Sequence, residues 1–302
     1  MGTIETMRVV VLGAAAGGAF PQWNSNGEAC RRARAGDPAA RPRTQASIAV
    51  AGEGPFWTIL NASPDLRQQI ELTRELHPRT GPRSTPIAAI VLTSGEVDCV
   101  AGLLHLREQQ PFDLFATARV LGVLDANPIF EVLDRSLVRR CAIQPEDEMT
   151  LPGGVTLQLF PVTGKVPLYL ESRADAADGD TVGACLTHNG ATLFYIPGCA
   201  AMTRSLAERL RGADTVLFDG TLWSDDEMIC KRIGTKTGRC MGHMSLSGAD
   251  GTLTAFADLG VRHKILLHIN NSNPVLLDDS SERSEVVRAG WQVAFDGMRI
   301  SI

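Results

Sequence analysis

The chain has 302 residues, 44% of them hydrophobic and 21% charged, the balance of a soluble globular protein with one large core or two modest ones. A formal net charge of -5 is too mild for a nucleic-acid-binding surface or an acidic tail. No apolar run reaches the length of about 18 residues that a membrane span needs, and the first residues lack the basic-then-apolar pattern of a secretion signal. A cytoplasmic protein is expected. The seven cysteines, at 30, 99, 141, 185, 199, 230 and 240, are odd in number and include no C-x-x-C pair. That argues against a disulfide framework and for a reducing compartment.

In chain order, residues 7–12 read as a first strand and 24–43, rich in Gly, Ala and Arg, as a surface loop. Strand patterns follow at 46–50, 57–61 and 87–92, then at 155–160, 181–187, 192–196, 215–218, 264–268 and 291–295. Helical periodicity falls at 65–76, 100–109, 202–211, 248–259 and 281–288. Ser63-Pro64-Asp65 gives the first of these a cap and a proline at its first position. Stretches 77–85 and 171–180 read as further loops. With no repeat and no linker, the pattern predicts one α/β domain over residues 1–302, built on extensive mixed sheet.

Three strand ends carry chemistry. The first, Leu92-Thr93-Ser94-Gly95-Glu96-Val97-Asp98-Cys99, places three potential metal-binding side chains within four positions. The second run ends in Asp219 before Gly220, and the third ends in His268 before an Asn-rich turn. Two carboxylates and an imidazole from separate strands can meet at one sheet edge and leave open positions on a metal. Each also has a plain structural account: a solvated loop carboxylate at Glu96, a turn residue at Asp219, a hydrogen-bonded strand-end imidazole at His268. Gly17-Gly18 lacks the spacing of a phosphate loop, and its glycines instead let backbone pass close to a pocket.

The order of these features resembles the metallo-β-lactamase superfamily, whose loop reads T-H-x-H-x-D-H-x-x-G. Residues 93–102 fill that frame with Ser94, Glu96 and Cys99 in the three histidine positions. Along nearly its whole length the chain further resembles the pyrroloquinoline quinone (PQQ) biosynthesis protein B family. The carrying segments include Gly17–Asn24 (GGAFPQWN), Asn61–Ile70 (NASPDLRQQI), Ile196-Pro197-Gly198-Cys199, Leu217-Phe218-Asp219-Gly220-Thr221, Gly234-Thr235-Lys236-Thr237 and His268–Pro274 (HINNSNP).

This resemblance implies an αββα sandwich of two mixed sheets flanked by helices. It implies iron- and O2-dependent hydroxylation of the tyrosine ring in a cross-linked Glu-Tyr precursor, a small molecule cut from a ribosomal peptide. Fe(II) or Zn(II) would rest on Asp98, Cys99 (where the family has His), Asp219 and His268, with His243 and Asp219 as catalytic groups. A thiolate at position 99 softens such a site toward zinc; ligand and pocket lining both stay open for Cys99. Lys165 and Arg43 would meet substrate carboxylates, as Arg67 could, against the alternative of plain surface solvation. Ser63 and Glu96 fall near the same pocket, with Asp65 behind them. The family's structural zinc run, C-x-C-x-x-C, is here Ser25, Gly27 and Cys30. A single thiol cannot form a thiolate site, so no structural zinc is expected, and a homodimer is left open. The departures at both metal segments suggest a divergent member. A metal-poor carrier for PQQ or its precursor is the main alternative function, and a metal-dependent hydrolase a weaker one.

Overall fold

The structure, a computed structural model describing residues 6–173 and 175–302, gathers the strand-forming runs into two seven-stranded sheets. The first runs β1 (Arg8–Gly13), β2 (Ser47–Ala51), β3 (Trp57–Leu60), β4 (Ile87–Val91), β5 (Phe112–Ala116), β6 (Val138–Ala142). The second runs β7 (Glu148–Thr150), β8 (Thr156–Pro161), β9 (Val182–His188), β10 (Ala191–Ile196), β11 (Thr215–Asp219), β12 (His263–Leu267), β13 (Trp291–Val293). The last strand, β14 (Arg299–Ser301), returns to the first sheet beside β1. In each sheet an antiparallel meander gives way to parallel strands, at β3–β4 and at β10–β11. Parallel neighbours need crossovers, and most of the helices lie in them.

The two-residue period of the strands decides the layering. Val9, Val11, Ile48 and Val91 face Leu159, Leu193, Leu217 and Ile265 of the other sheet. The opposite faces are covered too, which is why many strands read as continuous apolar runs. On the first sheet Val10, Ala49, Ile59 and Ile90 pack under α2 (Leu66–Leu72), α3 (Val97–Val100) and α4 (Ala118–Asp125). On the second, Phe194, Val216, Phe218 and Leu266 pack with α5 (Arg204–Leu210), α7 (Thr252–Ala255) and α8 (Ser281–Arg288). Phe256 sits edge-on to both Phe218 and Trp291, with ring centroids 4.9 Å apart in each pair. Each such fully buried side chain adds about 1.5–3 kcal/mol of transfer free energy. The result is the αββα sandwich.

Several local expectations change. A helix, α1 (Glu28–Arg34), forms inside the stretch read as loop, burying Cys30 and Ala33. Strands β5, β6, β7 and β14 carry no pattern read from the sequence; β6, β7 and β14 are half exposed, and β7 and β14 have only three residues. Helix α4 was also unmarked, although the Thr117 hydroxyl caps it by accepting from Val120 N–H. Ser63 does not cap α2: its hydroxyl donates to Gln69 Oε1 at 3.0 Å, and the helix begins at Leu66. The pattern at 248–259 yields only the four residues of α7, preceded by Gly248 and Gly251. Of the loop expected over 171–180, residue 174 lies outside the described residues. Among the described residues no helix is long and apolar enough to cross a membrane.

Candidate functional site

Where β4 ends, the chain is locked to its neighbours by backbone geometry. Asn61, with φ +62°, offers Oδ1 to Thr93 N–H at 2.9 Å and donates from Nδ2 to Thr93 Oγ1 at 2.9 Å. Val182 N–H donates to Thr93 O at 2.9 Å, tying the loop to the second sheet. The following helix α3 then docks on the segment that follows β3: Ala62 N–H donates to Cys99 O at 2.7 Å and Gly102 N–H to Ala62 O at 2.9 Å. A Cβ on Gly102 would lie 2.0 Å from Ser63 O, so the glycine that closes the loop motif is there for close backbone approach. This clamp turns Asp98 toward the second sheet. Gly17 leaves room beside it, since a Cβ there would come within 3.6 Å of Asp98 Oδ2.

Two parallel strands bring the partners. Asp219, the fully buried last residue of β11, accepts from Cys199 N–H at 3.0 Å on Oδ2 and from the Thr221 hydroxyl at 2.6 Å on Oδ1. His243 Nδ1 lies 2.7 Å from Asp219 Oδ2. His268 follows β12 with φ +55°, a left-handed conformation that costs energy for a non-glycine residue. Neighbouring bonds hold it there: Ile269 N–H donates to Ala14 O at 3.0 Å, and Asn270 N–H to Thr221 O at 3.0 Å. Its Nε2 lies 2.9 Å from Asp98 Oδ2 and its Nδ1 2.8 Å from Thr221 Oγ1. The His243 and His268 rings stack at 5.0 Å. Ligand atoms of Asp219, His243 and His268 all fall within 4.8 Å of one another, a grouping that could hold a metal ion.

Burial opposes charge on both Asp98 and His268, but their mutual hydrogen bond and attraction outweigh it. The Asp98 carboxyl is held below the usual carboxylate range and the His268 imidazole is raised above its ordinary value. Cys99 behaves otherwise. Burial, then the Asp98 and Glu96 charges, push its thiol well above the ordinary value. The sulfur packs in the first sheet's outer core and lies 3.9 Å from Asp98 Oδ1.

These groups edge a cavity of about 810 Å³ that Glu96, Lys165, Tyr169, Glu171 and Lys236 also line. Lys165 Nζ pairs with Glu96 at 2.6 Å, and Leu168 N–H donates to the same carboxylate at 3.1 Å. The structure takes two expected substrate contacts elsewhere. Arg43 is buried, donating from Nε to Ala294 O at 3.0 Å and from Nη1 to Arg41 O at 2.9 Å, so its guanidinium is spent on backbone carbonyls. Ser63 is sealed under α2 against Gln69. Asp65 braces Gln45, accepting from its N–H at 2.9 Å and its Nε2 at 3.0 Å, and Gln45 Oε1 in turn accepts from Gly18 N–H at 3.0 Å. Cys30 points its thiol at Asn271 Oδ1, 3.5 Å away, while Ser25 Oγ accepts from Gly27 N–H at 3.3 Å. Sequence reasoning missed Thr221, Glu171 and Lys236. Thr221 had a signal in standing two residues beyond the strand-terminal Asp219.

Two facing mixed sheets, with carboxylates and imidazoles collected beyond the ends of their parallel strands, define a class. Residues 56–269 match the Beta-lactamase superfamily domain. The fold alone is shared with a diphosphatase from the PhnP family, at TM-score 0.71 and 20% identity over 98% of this chain and 97% of that one. Within the class the relation is close. The chain is 60% identical to the Coenzyme PQQ synthesis protein B of Gluconacetobacter diazotrophicus, over 97% of this chain and 99% of that protein. It is 48% identical to the protein of the same name from Methylorubrum extorquens, covering 98% and 100%. A crystal structure of Zn(2+)-bound PqqB from Methylobacterium extorquens superposes at TM-score 0.95 with 47% identity, covering 98% of this chain and 100% of that one. The chain belongs to the coenzyme PQQ synthesis protein B family.

Proposed function

We propose that the chain is a metal-dependent hydroxylase of PQQ synthesis, acting on the tyrosine ring of a cross-linked Glu-Tyr precursor derived from a small peptide. The observation that carries this reading is the convergence of Asp219, His243 and His268 within 4.8 Å at the edge of the large cavity, with Asp98 bonded to His268. Two imidazoles and carboxylates form a donor set that both iron(II) and zinc accept, so the residues fit a metal. Asp98, Asp219, His243 and His268 would hold it, and iron there would supply the redox chemistry with O2 that ring hydroxylation requires. The Zn(2+)-bound relative lends support for a metal and leaves its identity to experiment.

The chain's own residues do the rest. Thr221 donates its one hydroxyl proton to Asp219 and can accept from His268 Nδ1–H, which leaves Nε2 as the free donor atom once its proton has gone. Asp98 Oδ2 faces that Nε2 at 2.9 Å and shares its one proton, so both atoms would be open to a metal only after that proton is lost. His243 lines the cavity, and the contact of its Nδ1 with Asp219 fixes the ring that faces bound substrate. Cys99, packed at the boundary of the outer core and the cavity, lines the pocket beside Asp98 and is not a ligand in this reading. The test is metal content after anaerobic purification together with oxygen uptake coupled to ring hydroxylation. Stoichiometric iron with coupled uptake supports the proposal. Precursor binding with neither metal nor uptake would replace it by the carrier reading, which the mutual pairing of Asp98 with His268 and Asp219 with His243 favours.

A further inference from the structure

The cavity rim carries an ion-pair bridge that the metal centre does not use. Lys165 and Glu171 flank the short 3-10 turn Leu168–Leu170, and Lys236 stands on the opposite segment between α6 (Glu227–Cys230) and the turn at Arg239–Met241. Glu171 accepts from both ammonium groups: Lys165 Nζ is 3.0 Å from its Oε1, and Lys236 Nζ bonds its Oε2. Lys165 is also held by Glu96 at 2.6 Å. Tyr169 pins the turn by donating to Gly95 O at 2.6 Å. Among the described residues lining the cavity these two lysines stand with no arginine, against the carboxylates of Glu96, Asp98 and Glu171.

That balance has a consequence for any anionic guest. A substrate carboxylate entering the cavity as it stands meets positive side chains that are each already paired with a carboxylate. Both lysine charges are already answered. Of the three carboxylates, Glu171 alone has no backbone or imidazole partner among its bonds: Glu96 is tied to Leu168 N–H and Asp98 to His268. It is partly exposed, and such pairs are weak because solvent screens them.

We propose that Lys165 and Lys236 form a carboxylate-binding subsite for an aromatic polycarboxylate, and that Glu171 is its internal occupant, displaced when substrate binds. The inference deepens the function proposed above and rests on it for the class of substrate. With Glu171 seated, only the fraction of molecules with a vacated subsite binds, so the apparent affinity is reduced by that fraction. With it displaced, the two ammonium groups bracket the incoming carboxylate and set which end of the substrate faces Asp219, His243 and His268.

The probe is trimesate, a planar aromatic tricarboxylate, titrated calorimetrically into the chelator-treated, metal-free full chain. Glu171→Gln is expected to tighten binding about five- to tenfold, since occupant and repulsion both go. Glu171→Asp keeps the charge but is one methylene too short to bridge both lysines, and should tighten it about two- to threefold. Lys236→Gln should weaken it about tenfold, as expected for loss of a charge-assisted hydrogen bond. Unchanged or weaker binding by both Glu171 variants, or wild-type affinity in Lys236→Gln, overturns the proposal. The metal-free readout separates the two readings. The expected trimesate pattern without oxygen uptake leaves the subsite standing and removes hydroxylation; uptake with lysines that do not matter does the reverse.

Discussion

Gly102→Ala is a sharp test of how the fold builds the site. The added methyl would lie 2.0 Å from Ser63 O, 2.8 Å from Ala62 O and 2.8 Å from Leu66 Cβ. Two of these neighbours are backbone oxygens that cannot rotate away, so α3 must lift from the strand end by an ångström or more. Overpacking of this kind costs about 1–3 kcal/mol. Lifting the helix also strains the bonds from Gly102 N–H to Ala62 O and from Ala62 N–H to Cys99 O, each worth about 1 kcal/mol net. The total expected is about 3–5 kcal/mol, which for a chain of this size lowers the melting temperature by roughly 5–8 °C. Because Asp98 rides on the same helix, zinc affinity measured by chelator competition should fall as well. A variant that melts within about 2 °C of wild type and binds zinc equally well would refute the claim that this glycine is kept for close approach.

Three further outcomes follow from the site. The Asp98–His268 pair stabilises the metal-free protein through a raised imidazole and a lowered carboxyl. The imidazole's contribution is complete below its unfolded value and is lost as pH rises through the raised folded value; the carboxyl's is lost only as acid reaches its depressed value. Asp98→Asn should therefore cost about 3 kcal/mol near pH 6 and visibly less near pH 9, read from thermal melts; an equal deficit at both pH values contradicts the pairing. Thr221→Val, which removes the hydroxyl shared by Asp219 and His268, should weaken zinc binding about 10–100-fold. Thr221→Ser should restore most of it. Cys99→Ala should keep metal stoichiometry and lose about 1–2 kcal/mol of stability through a small core void. Loss of bound metal in that variant would make the thiol a ligand after all.

Much of the architecture was legible because it is periodic. The runs at 46–50, 57–61 and 215–218 became central strands of the two sheets, and the helix at 281–288 formed over the residues its pattern implies. Of the strands that pattern reading missed, three lie at sheet edges with one face in water, and two of those have only three residues. Helix α1 hides in an Arg-rich run because it buries only Cys30 and Ala33. Arg43 shows the opposite error. An arginine beside a motif looks like a carboxylate clamp, yet the tertiary fold seals it against backbone carbonyls.

By itself the sequence determined most of the strands, the α/β class and the three strand-end segments that bear Asp98, Asp219 and His268, because strand burial and turn chemistry depend on residues close together in the chain. Only the tertiary structure decided which atoms meet. Asp98 and His268 are 170 positions apart and join at 2.9 Å because β4 and β12 belong to different sheets packed face to face. Cys99, adjacent to Asp98, packs its thiol between the outer core and the cavity wall, 3.9 Å from Asp98 Oδ1. Thr221, unremarkable as a residue type, becomes the hub of the site because β11 and β12 are parallel neighbours and their two ends emerge at one edge.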